Sequence, residues 1–138
     1  MKKYLFMVDH KLRDLIVMTI LKKKLEKLGN KVFFCRNGME LPVAIYNEVD
    51  TVILTQVLTK NWKNIAINLK KYGCNVVSLP SEGNPYTLKM KTDLATGKYL
   101  GYDNFLDLIF VWRKNIFDLT IKKEQLKKNK IIYSGFHR

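Results

Sequence analysis

Apolar residues along this chain fall into two alternating patterns: short continuous runs, and longer segments in which they recur every three or four positions. The runs at Tyr4–Val8, Lys31–Cys35, Thr51–Thr55, Asn75–Leu79, Leu106–Trp112 and Lys130–Tyr133 are each four to seven residues long and read as strands. Between them, helical spacing predicts helices over about 12–28, 39–47, 61–72 and 115–128, with a further short helix near 87–94. In the first helix the apolar positions 12, 15, 16, 20, 21, 25 and 28 keep helical spacing. Gly29 and Gly73 stand where helix-ending glycines belong, and Asn37-Gly38 marks a turn.

Strands that are apolar on both faces and separated by helices predict a mainly parallel sheet covered on both sides. With right-handed crossovers the result is a doubly wound, Rossmann-like α/β domain of six strands. A chain of 138 residues has the length of one such domain. All strand carboxyl ends then share one edge, and that edge gathers Asp9-His10, Arg36-Asn37, Gln56, Ser81-Glu82-Gly83-Asn84, Trp112-Arg113 and His137-Arg138. In open sheets of this kind the ligand crevice borders that edge, so Asp9, His10, Arg13 and Asp14 are the first candidates for binding.

Composition narrows the function classes. With 47% apolar and 27% charged residues the chain belongs to the globular class, and no apolar run reaches the roughly 18 residues of a membrane span. There is no secretory cleavage pattern, which predicts a cytoplasmic protein. Cys35 and Cys74 lack CxxC spacing and neighbouring histidines, so they read as reduced core thiols, and no metal site is expected. The net charge of +13 is the extreme feature. It comes mostly from lysines on helix faces, with only four arginines and no aromatic stripe between the charges. This argues against nucleic acid and leaves a solvated surface, an anionic ligand or peripheral contact with an anionic membrane.

Several chemistries are excluded by absence of their motifs. The first turn has no glycine, so it is not the GxGxxG of a dinucleotide site; GxxxxGK[ST] and Gly-x-Ser-x-Gly are absent as well. No cofactor is therefore expected. Thr55 and Gln56 stand where a response regulator would need an acid. Glu82, between Ser81 and Gly83 at a strand end, is the best lone candidate for proton transfer, with loop bracing as the alternative. Asp9 and His10 form a potential carboxylate–imidazole pair, while Asp9 or Asp14 could equally cap the first helix. His137 and Arg138 form a basic pair at the end of the last strand, suited to phosphate or simply fraying.

The run LFMVDHKLRDLIVMTILKKKLEKLGNKVFF resembles the opening of bacterial surface-carbohydrate biosynthesis proteins of the GT-B glycosyltransferase type, with a VDH-x3-RDL turn, a long helix and LG-x-KV. VVSLPSEGNP resembles their strand followed by Glu-Gly, IFVWRKN their strand ending in Trp, and IIYSGFHR their closing strand with a Gly-x-x-Arg turn. The resemblance implies an acceptor-side domain for surface (capsule-type) polysaccharide synthesis, inactive alone, with a nucleotide-sugar donor bound by a second Rossmann-like half. It implies Glu82 as general base or acceptor orienter. It implies substrate contacts by Asp9, His10, Arg13, Asp14, Gly83, Gly135 and Arg138, with a glycan or lipid-linked glycan as acceptor at the inner face of the plasma membrane; Asn84 and His137, on the same strand-end edge, are further binding candidates by their position. Two other readings stay open from the residues themselves: a non-catalytic basic module binding a protein or nucleic acid, and a small enzyme using the Asp9-His10 edge on a phosphorylated substrate.

Overall fold

The computed structural model describes residues 1–57, 59–80, 100–122 and 126–135, the side chain of Leu119 aside. In chain order the elements are β1 (Lys3–Val8), α1 (Lys11–Lys27), β2 (Lys31–Arg36), α2 (Glu40–Asn47), β3 (Thr51–Leu54), α3 (Lys60–Tyr72), β4 (Asn75–Ser78), β5 (Leu108–Val111), α4 (Lys114–Lys122) and β6 (Ile131–Tyr133). Short 3-10 turns at Tyr102–Asn104 and Lys128–Lys130 precede β5 and β6. The six strands form one all-parallel sheet in the order β2-β1-β3-β4-β5-β6, the doubly wound arrangement expected. The helix expected near 87–94 lies outside the described residues.

Strands β1–β4 alternate their side chains between two cores, and β5 and β6 contribute to the first. Leu5, Met7, Val52, Leu54, Val76, Ile109, Val111 and Ile131 pack against Ala44 of α2, Trp62, Ala66 and Leu69 of α3, and Ile116 of α4. On the other face Phe6, Val32 and Ile53 meet Met18, with Leu21 and Leu25 of α1 beside them. Fully burying an aliphatic or aromatic side chain contributes about 1.5–3 kcal/mol, so most of the stabilisation lies on the first face.

Helix α1 turns only part of its apolar set toward the sheet. Asp14 and Met18 are buried and Leu21 and Leu25 half-buried, whereas Leu12, Ile16, Ile20 and Leu28 are exposed. The helix carries two apolar stripes, and the one containing Met18 meets the sheet. Its end is as the sequence predicts: Gly29 adopts φ +80°, its N–H donates to the Glu26 carbonyl, and Asn30 N–H donates to Leu25 O. This is the paired bonding of a left-handed helix terminus. The last helix is shorter than its spacing suggests. It is described over Lys114–Lys122 and has ended by Leu126, ahead of the 3-10 turn at Lys128–Lys130.

Candidate functional site

The strand order places the crevice. β1 lies between β2 and β3, and the connections leaving β1 and β3 pass to opposite faces of the sheet, α1 to one and α3 to the other. The chain therefore parts between the carboxyl ends of β1 and β3, the place where open parallel sheets bind ligands. Asp9 and His10 follow β1 there, Thr55 and Gln56 follow β3, and Arg36 with Asn37 flank them at the end of β2.

The turn after β1 is built around Asp14. Its buried carboxylate accepts from the backbone N–H groups of Asp9 (3.1 Å) and His10 (2.8 Å) and from Arg13 Nε (2.7 Å). It closes the first turn of α1 as an acid near a helix N-terminus does, taking up donors that the helix leaves unpaired. Of the two roles open for Asp14, bracing of the turn is the one its hydrogen bonds support. The Arg13 guanidinium, joined to Asp14, also reaches Asp9 Oδ2 at 3.4 Å. Asn37 Nδ2 approaches the other oxygen, Asp9 Oδ1, at 3.4 Å. Asp9 and His10 are exposed residues on the rim, the Asp9 side chain itself being 29% exposed. The arrangement presents a carboxylate held from two sides, followed in the chain by an exposed histidine, to anything entering the crevice.

Beneath the rim lies Glu40, which the sequence reading treated only as part of a short helix. Both its oxygens accept from the Gly38 N–H (3.1 and 3.0 Å), folding the carboxylate under the Asn37-Gly38 turn, where Gly38 takes φ +88°. Burial raises its pKa above the ordinary glutamate value, and the negative charge of Asp9 adds to the effect. The neighbouring Cys35 thiol is pushed up to about 12 by burial and by Glu40, so it is an inert core group, as the sequence suggested. The signal for Glu40, an acid two residues after a turn glycine, is visible in the sequence. Its burial comes from tertiary packing.

The β3 side is apolar and braced. Thr55 is buried, and its hydroxyl faces Met7 Sδ at 3.8 Å. Tyr102 O–H donates to the Val57 carbonyl at 3.2 Å, pinning the loop after β3. Thr59 then caps α3 by accepting from Trp62 N–H at 3.4 Å.

Of the residues expected to bind or react, Asp9, His10, Arg13 and Asp14 come together at β1. Gly135 sits on the same edge but beyond β6; four strand spacings of about 4.8 Å place it about 19 Å along the sheet. Glu82, Gly83, Asn84, His137 and Arg138 lie outside the described residues. Among the described residues no cluster of His, Cys, Asp and Glu is arranged to hold a metal ion, and no helix is long and apolar enough to cross a membrane. Compared with known proteins, the chain matches no family model, no curated protein and no solved structure.

Proposed function

We propose that this chain is a saccharide-binding α/β domain, the acceptor-side half of a GT-B type glycosyltransferase for surface polysaccharide. The observation that carries the reading is the Asp9 carboxylate, held between Arg13 and Asn37 beside His10 at the β1/β3 crevice. A fixed carboxylate with amide and imidazole neighbours suits a polyhydroxylated ligand, because it accepts from sugar hydroxyls while the neighbours donate or accept in turn. The resemblance of the VDH-x3-RDL turn and the later motifs to such enzymes supplies the reaction class. In that reading Glu82 takes the proton from the acceptor hydroxyl as the sugar leaves its nucleotide donor, which a second Rossmann-like half holds.

The test is a titration of the isotopically labelled chain with short neutral oligosaccharides, followed by amide NMR shifts. Shifts should gather at Asp9–Arg13, Asn37-Gly38 and Thr55–Val57, and Asp9→Asn should weaken them. Saccharides that leave those amides unmoved, together with salt-dependent binding of arbitrary duplex DNA, would replace this reading with that of a basic binding module. In a complete transferase, Glu82→Gln should abolish transfer without loss of acceptor binding.

A further inference from the structure

Successive residues of an α-helix turn by about 100°, so a helix that sets Asp14, Met18, Leu21 and Leu25 toward the sheet sends Leu12, Ile16 and Ile20 to the opposite side. These three are 81, 69 and 52% exposed. Beyond Ile20 the same outward side continues as Lys23 and Lys27, both exposed. The helix offers no free acid to this surface: Asp14 is buried under the β1 turn, and Glu26 is ion-paired with Lys22. The outward side is thus aliphatic over its first two turns and cationic over its last.

Two occupants fit an aliphatic stripe. A second copy of the chain is disfavoured by size and by charge. Three side chains spanning about 12 Å are far fewer than the roughly 20–30 residues per side of a stable interface. Each copy also carries +13. An anionic bilayer accepts both halves of the surface, the aliphatic side chains entering the acyl boundary while the lysines remain among the headgroups. We propose that α1 docks on an anionic phospholipid surface through Leu12, Ile16 and Ile20, with Lys23 and Lys27 in the headgroup layer. The amino end of α1 follows directly from Asp9 and His10, so this docking sets the crevice beside the headgroups. A lipid-linked glycan would meet the crevice there; only that last step rests on the function proposed above.

The experiment is flotation of the purified chain with phosphatidylcholine vesicles, plain or containing about one third phosphatidylglycerol. The chain should float with the anionic vesicles and not with the neutral ones, and high salt should weaken the association. Replacing the stripe by a good helix former (Leu12→Gln, Ile16→Gln, Ile20→Gln) should lower partitioning at least about tenfold with an unchanged circular dichroism spectrum. Lys23→Gln with Lys27→Gln should lower it severalfold. The proposal fails if the wild-type chain floats with neither vesicle, or if the Gln stripe floats as well as wild type. It also fails if sedimentation equilibrium shows a dimer that the Gln stripe makes monomeric without any lipid binding, which assigns the stripe to a second copy. The saccharide titration reports on the crevice separately, so failure of one leaves the other readable.

Discussion

The two edges of the sheet use their charges in opposite ways. At the amino edge Asp50 accepts from Lys3 N–H (2.7 Å) and Lys2 Nζ, and Asp107 accepts from Val76 N–H (2.8 Å) while both its oxygens meet Lys70 Nζ at 2.7 Å. Lys130 Nζ donates to the Asp103 and Leu106 carbonyls. Each charge ties a strand start to another segment. Among the described residues of the carboxyl edge, Asp14 and Glu40 hold backbone N–H groups, each within its own turn. Asp9 and His10 stand exposed, Glu40 is buried with its pKa raised, and among the described residues Ser78 Oγ is buried without a hydrogen-bond partner, as Asp103 Oδ1 is at the amino edge. An edge that keeps charge exposed, and holds a carboxyl where ionisation is costly, gives up stability that its opposite edge retains. Such local departures from optimal pairing mark functional surfaces in real proteins.

The sharpest way to break this contrast is Asp14→Ala, which strips the accepting group from two backbone N–H groups and from Arg13. It should cost about 3 kcal/mol in urea unfolding, because a buried partner is left uncompensated. A loss below about 1 kcal/mol would mean that the β1 turn is held by other contacts. Asp107→Ala should come next, at about 1–2 kcal/mol, since its carboxylate is partly exposed and water replaces part of what it provides. The two edges should also answer pH with opposite signs. Asp50 has its pKa lowered, chiefly by the Lys3 N–H, so its contribution is present above the unfolded-state value and is lost as pH falls through the folded one. Glu40 has its pKa raised, so its contribution is present below the unfolded-state value and is lost as pH rises through the folded one. Urea midpoints measured across pH should therefore rise less with pH than Asp50 alone would give, and Glu40→Gln should make the rise steeper. Smallest of all, Asp9→Asn should change stability by less than about 0.5 kcal/mol while weakening saccharide binding.

How far the sequence reveals these features depends on the range of the interaction. The strands, the Gly29 stop and a mainly parallel, doubly wound sheet follow from local hydrophobic runs and turn residues, and the structure carries them with boundaries shifted by a few residues and every strand pair parallel. The inner face of α1 is not legible from periodicity, because both of its stripes are apolar and spacing does not say which meets the sheet. The residue that decides it, Asp14, is a charged one that no search for apolar positions selects. The candidate site divides similarly. Asp9, His10, Arg13 and Asp14 are adjacent in sequence and therefore legible, whereas Glu40 joins them only because α2 folds its first turn beneath the Asn37-Gly38 loop.

The strand order also has a kinetic meaning. β1 gains both its neighbours, β2 and β3, within the first 54 residues, while β4, β5 and β6 are each added beside the strand before. This order predicts that a three-stranded unit closes early and is then extended outward in one direction, with the three-residue β6 last. Opening should run the other way. Native-state hydrogen exchange should find the amides of β6 freed first and those of β1 and β3 only on global unfolding, with the β1 turn anchored on the most persistent strand of the molecule.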